Sequence, residues 1–130
     1  MTASRLQIFV IWLLTTLLVA LFVFAGGGKL AATEDAIRGF EHFGYAPWFR
    51  NLIGVIEVAA GLCLLLPRTA LLGALALLPI MVGATWTLWR VGDSVVPPIV
   101  VGALLAVLAW LRWSAQSSAG RAGNVTTEAR

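Results

Sequence analysis

The segment Trp48-Phe49-Arg50-Asn51-Leu52-Ile53-Gly54-Val55-Ile56-Glu57-Val58-Ala59-Ala60-Gly61-Leu62-Cys63-Leu64-Leu65-Leu66, closed by Pro67, decides what kind of fold this chain adopts. Its apolar run is of membrane-crossing length, for which a helix needs about 20 residues. Glu57 sits at its centre, roughly 13 Å from either end at the rise of an α-helix. A carboxylate at that depth costs about 3 kcal/mol on insertion scales. It therefore needs a proton, a partner or a ligand, and neighbouring helices to shield it.

Gly54, Glu57 and Gly61 fall on one helical face, spaced i, i+3 and i+7. Small residues on both sides of the acid mark a face that meets another helix rather than lipid. Arg50 shares that face but lies about 10 Å from Glu57 along the axis, so no direct ion pair is expected between them. A pair through water, or one with Lys29 from the end of the first helix, is open to Glu57. Two readings of Glu57 stand side by side. In the structural one it is a neutral acid hydrogen-bonded to a neighbouring helix near Pro79. In the functional one it is the polar group of a cavity that takes a small ligand or a proton.

Before this segment, Leu6 to Ala25 reads as a first span, too long for the apolar part of a cleaved leader. Gly26-Gly27-Gly28-Lys29 is expected to end it, its glycines either relaxing the backbone or letting a neighbouring helix approach closely. Residues 32–44 are amphipathic. Ala32, Ala36, Ile37, Phe40 and Phe43 fall on one face, and Glu34, Asp35, Arg38, Glu41 and His42 on the other. This predicts a short helix lying in the membrane interface, with Thr33 as N-cap and Gly44 as its stop.

After it, Pro67-Arg68-Thr69 makes a tight turn, so spans two and three should be antiparallel neighbours. Reflecting the numbering through Arg68 brings Glu57 level with Pro79 and Arg50 level with Trp86. The third span covers 70–89. Arg90-Val91-Gly92-Asp93-Ser94 links it to a fourth at 95–113, where Trp110, Arg112 and Trp113 read as an interfacial belt. Residues 114–130 hold no hydrophobic periodicity and read as a disordered cytoplasmic tail.

Composition agrees with this. The chain is 60% hydrophobic and 12% charged, against roughly 25% charged in soluble domains. Its formal charge of +3 does not point to nucleic acid, because the basic residues are scattered singly at segment ends. The one cysteine, Cys63, gives neither a disulfide nor a redox pair and reads as a packing residue. The one histidine, His42, reads as a solvated surface residue. With these counts no metal site or nucleophile–base set is expected.

The prediction is thus all-α: a four-transmembrane-helix antiparallel bundle with spans at about 6–25, 48–66, 70–89 and 95–113. The interfacial helix lies between the first two. With both termini inside, Arg5, Arg68, Arg112, Arg121 and Arg130 are cytoplasmic and Lys29, Arg38, Arg50 and Arg90 are outside, which follows the positive-inside rule by one residue. Glu57, Lys29, Arg50, Trp86 and Arg90 then lie at the midplane or towards the outer side. They are the candidates for ligand binding.

Three patterns together resemble the DoxX-like family of small bacterial membrane proteins. They are Phe24-Ala25-Gly26-Gly27-Gly28-Lys29-Leu30, Phe40 with Gly44-Tyr45-Ala46-Pro47, and Gly54-Val55-Ile56-Glu57-Val58-Ala59-Ala60-Gly61 leading to Leu64-Leu65-Leu66-Pro67. The resemblance implies a four-helix bundle in the bacterial inner membrane. It also implies a component of a redox or stress-defence assembly, without enzymatic activity of its own, beside a redox enzyme or respiratory partner. It raises Lys29 and Glu57 above the other candidates. The alternative expectation is a subunit or carrier that binds a quinone or another lipophile through Glu57. Expected partners are the lipid bilayer, such a redox component and, as an open alternative, a second copy of the chain.

Overall fold

The structure is a computed structural model describing residues 4–128. Residues 1–3 of the expected polar lead, and residues 129–130 of the expected tail, lie outside the described residues; Arg130, counted as cytoplasmic, is one of these. Among the described residues five helices follow one another: α1 (Arg5–Leu30), α2 (Glu34–Phe43), α3 (Pro47–Cys63), α4 (Ala70–Val91) and α5 (Val96–Glu128). There is no strand among the described residues.

Three of these helices, α1, α4 and the first 22 residues of α5 (Val96–Ser117), are long and apolar enough to cross a membrane. The second expected span, 48–66, is shorter than predicted. α3 has 17 residues, about 26 Å of helix. It closes early because Pro67 disfavours helical geometry just before it. Leu64 and Leu65 donate their backbone N–H groups back to Gly61 and Leu62 in a tightened last turn. The Thr69 hydroxyl then caps the Cys63 carbonyl at 2.8 Å.

α1 corrects the expected boundary in the other direction. The helix does not stop at Gly26–Gly28 but runs through them to Leu30. Of the two roles open to the glycines, Gly26 takes close packing. A Cβ at Gly26 would stand 2.7 Å from the Gly54 carbonyl oxygen, and one at Gly54 would stand 3.0 Å from the Gly26 oxygen. Each helix presents bare backbone to the other there, so α1 and α3 form the most intimate pairing in the molecule. Gly73 repeats this between α4 and α3, where a Cβ would lie 2.6 Å from the Ala60 oxygen.

α1 packs on α3 and α5, and α4 packs on α3 and α5, so these four helices close into a ring in the order α1–α3–α4–α5. Ile11, Leu18, Phe22, Ala60, Leu64, Ala74, Leu77, Leu105 and Leu108 fill its centre. The outside is apolar too: Leu6 is 71% exposed, Phe24 86% and Val82 70%. Apolar side chains over the whole outer girdle belong against hydrocarbon rather than water.

α2 lies at one end of the ring with no buried residue. Its boundaries follow the expected signals. The Thr33 side chain accepts from Ala36 N–H, Glu34 and Asp35 occupy the first turn, and Gly44 takes φ 81°, the left-handed stop that glycine adopts freely. The expected tail is different again. α5 continues as helix through residues 114–128. Residues 114–124 contain no proline, and extending an existing helix fixes one residue per new hydrogen bond without a new nucleation cost. Gln116 Nε2 also donates to the Pro67 carbonyl at 3.2 Å, tying this stretch to the α3–α4 turn.

Candidate functional site

At the end of the ring beneath α2 is a cavity of about 450 Å³. Its floor is charged. The glycine contact carries α1 so close to α3 that Lys29, in the last turn of α1, reaches Glu57 on α3. Nζ to Oε2 is 2.7 Å, with the two side chains 18% and 5% exposed. A Lys29 partner is one of the two contacts the sequence leaves open to Glu57, and the carboxyl group meets that side chain rather than a helix backbone.

The walls are apolar and largely aromatic. Phe40 and Phe43 come down from α2, Phe49 and Ile53 from α3, and Pro79, Ile80, Gly83, Ala84, Trp86 and Leu88 from α4. Tyr45, in the α2–α3 link, stacks on Phe49 at 4.9 Å between ring centroids. Phe40 sits within 6.4 Å of the rings of Phe43, Tyr45 and Phe49. Also on the lining are Tyr45 and Thr87, whose hydroxyls are 2.7 Å apart. The polar groups of this cavity are therefore few and discrete: one ion pair and one hydroxyl pair in an apolar lining, the usual make-up of a small-molecule site.

Of the five candidates from the sequence, the structure brings Lys29, Glu57 and Trp86 together on the cavity lining. Arg50 is buried but turns away from it; its Nε donates to the Lys29 carbonyl at 3.3 Å and so caps the end of α1. No Arg50–Glu57 ion pair forms, as its distance along the helix requires. Arg90 lies on the rim. Its Nη2 donates to the Phe43 carbonyl at 2.7 Å, and its guanidinium stands 5.7 Å from the centre of the Tyr45 ring. His42 is exposed as expected, with Nε2 3.2 Å from Asp93 Oδ2.

Sequence reasoning missed the Tyr45–Thr87 pair and the cluster of Phe40, Phe43 and Phe49 rings. Thr87 carried a usable signal: a hydroxyl inside an apolar run, one residue after Trp86, that must find a partner in lipid. It also misread Arg112. Trp110 and Trp113 face outward as an interfacial belt would, but Arg112 is buried. Its Nη2 donates to Thr15 Oγ1 at 3.0 Å, and its guanidinium lies 5.2 Å from the centre of the Trp12 ring. Trp12 and Thr15 on α1 are spaced i and i+3, the one cue to a shared partner.

A second crevice of about 740 Å³ lies on the other side of α2, lined by Gly27, Gly28, Thr33 and Gly39. Lys29, Phe40 and Phe43 border both spaces. They form the partition between them.

No curated protein and no solved structure matches the chain. The family model described as the DoxX-like family matches residues 13–112. That region contains all of α2, α3 and α4, the whole cavity lining and the buried Arg112. With most of its length so covered, the chain is a member of the DoxX-like family of membrane proteins.

Proposed function

We propose that the chain is a four-span protein of the bacterial inner membrane, with both termini cytoplasmic, that binds a flat lipophile of quinone type in the cavity beneath α2. The observation that carries this reading is the cavity itself: about 450 Å³, walled by aromatic rings, with the Lys29–Glu57 pair at its floor. Rings of this kind bury a planar apolar molecule, and a few fixed polar groups orient it. The fourth span is α3 extended by Leu64–Leu66. It is flanked on both sides by helices that are long enough to cross by themselves.

In this reading the chain holds the lipophile, and electron transfer belongs to a partner oxidoreductase, the redox assembly that the family resemblance implies. Lys29 donates to a carbonyl oxygen of the bound ring, Glu57 holds Lys29 in place, and the rings exclude water and lipid tails. The Tyr45–Thr87 hydroxyl pair faces the other end of the ligand. The weak excess of basic residues on the side of the termini supports the orientation.

The test is binding of 2-methyl-1,4-naphthoquinone to the purified full chain in lipid nanodiscs, followed by tryptophan quenching. Trp86 borders the cavity and reports on it. Gly83→Leu is the decisive variant. Gly83 lines the cavity, and a Cβ there meets nothing within 4 Å, so a larger side chain can be attached at the lining without a clash at its first atom. Binding weakens at least about tenfold, the scale of one displaced ligand contact of 1.4 kcal/mol. Unchanged affinity in Gly83→Leu overturns the reading.

A further inference from the structure

We propose that Glu57 sets the charge of the ligand: by neutralising Lys29 it makes the cavity a site for neutral, carbonyl-bearing lipophiles and shuts out anionic ones such as fatty-acid carboxylates. This rests on the lipophile reading above and adds what the ligand's polar group must be.

The argument begins with donors. An ammonium has three N–H donors and no acceptor. Glu57 takes one of them at 2.7 Å. Both side chains line the cavity, and Lys29, which also borders the crevice beyond α2, is the more exposed of the two at 18% against 5%, so the more accessible member of the pair is a donor. The ligand atom that meets it is an acceptor. A carbonyl oxygen suits this; an ammonium, which has no lone pair to offer, does not.

Charge decides which acceptor. Among the described residues, Lys29 and Glu57 are the only charged ones on the lining, and their formal charges cancel. Arg50 and Arg90 lie nearby, but neither lines the cavity. Arg50 is turned onto the Lys29 carbonyl, and Arg90 is exposed on the rim, where solvent screens it. A carboxylate ligand that approached Lys29 would meet the Glu57 carboxylate within the same few ångströms, in a setting where like charges repel strongly. It would also give up its hydration without a free counter-charge on the lining, from which Arg50 is turned away. A ketone or quinone oxygen loses little hydration and gains a charge-assisted hydrogen bond. With Glu57 made neutral, Lys29 becomes an unpaired buried cation, and an anionic ligand is what would restore its balance.

The experiment compares two ligands of matched shape, 2-acetonaphthone and 2-naphthoate. Each is titrated calorimetrically into the full chain in nanodiscs, as wild type and as Glu57→Gln. Wild type binds the ketone more tightly. In Glu57→Gln the affinity ratio of naphthoate to ketone rises about tenfold or more, the scale on which one partner of a buried charge pair acts. Because the ratio is compared between variants, the ligands' different partitioning into lipid cancels. Lys29→Gln/Glu57→Gln, which leaves two neutral amides, guards against misfolding of the single variant. It binds the ketone more weakly than wild type does but still prefers it to naphthoate. An unchanged ratio in Glu57→Gln, or a double variant that prefers naphthoate, overturns the assignment while leaving the cavity reading intact. If neither of these ligands nor 2-methyl-1,4-naphthoquinone binds wild type, both readings fall.

Discussion

Gly26 and Gly54 place the ion pair more directly than any residue that touches it. Their backbones meet where Cβ atoms would collide, and that contact sets Lys29 beside Glu57. Gly26→Ala forces a Cβ to within 2.7 Å of the Gly54 oxygen and 2.8 Å of a Val58 methyl. The helices must separate, at a cost of about 1–3 kcal/mol, the range for overpacking a tight contact. Gly27→Ala is the control one residue away. Nothing lies within 4 Å of its Cβ, and alanine favours a helix over glycine by about 1 kcal/mol. Thermal unfolding in mild detergent should therefore show Gly26→Ala clearly destabilised and Gly27→Ala equal to wild type or more stable. Equal losses in the two would contradict the close-contact account. At this scale the sequence was half legible. The acid in an apolar run and the small residues around it announced a helix-facing Glu57. The glycine triplet did not announce its purpose, because flexibility and close approach ask for the same residue. Arg112 misled for a similar reason: next to two tryptophans near a helix end, its direction depends on the facing helix and not on its neighbours in sequence.

Among the elements, α2 is the one held most lightly. It buries no residue. It is fixed to α4 and the loop after it by Arg90 on the Phe43 carbonyl at 2.7 Å and by His42 near Asp93 at 3.2 Å. Phe40 and Phe43 nevertheless close the cavity from above and divide it from the crevice beyond. A roof with so few attachments opens locally before the ring of helices does. Arg90→Ala removes one attachment and the cation over the Tyr45 ring. Amide exchange across Glu34–Phe43 should speed up several-fold, in line with about 1 kcal/mol lost from local stability. Exchange in the middle of α1 and α4 should not change. Uniform acceleration along the chain would mean that Arg90 supports the whole fold and not the roof. The caps of α2 could be read from Thr33 and Gly44, since a hydroxyl before an acidic first turn and a glycine after the last aromatic act locally. The ends of α3 and α5 could not. α3 closes early through a capping hydroxyl six residues after the carbonyl it bonds, and α5 continues past Trp113 because nothing stops it, which hydropathy does not register.

For the molecule as a whole, the apolar outer girdle and three helices of membrane-crossing length were evident from composition and run length. The ring order α1–α3–α4–α5 was only partly so. The tight turn at Pro67–Thr69 paired α3 with α4, but the pairing of α1 with α3 across the intervening α2 is a long-range fact held in glycine contacts. The cavity is a product of that order, for its lining comes from all of α1, α2, α3 and α4. The central claim, that this shared space receives a planar lipophile, is tested most directly by photolabelling. An azido-naphthoquinone is irradiated with the full chain in nanodiscs, and the modified peptides are mapped by mass spectrometry. The account predicts labels on Phe40–Ile53 and Pro79–Leu88 that disappear with excess 2-methyl-1,4-naphthoquinone. Labels confined to outward-facing positions such as Leu6, Phe24 and Leu72, and indifferent to that competitor, would contradict it.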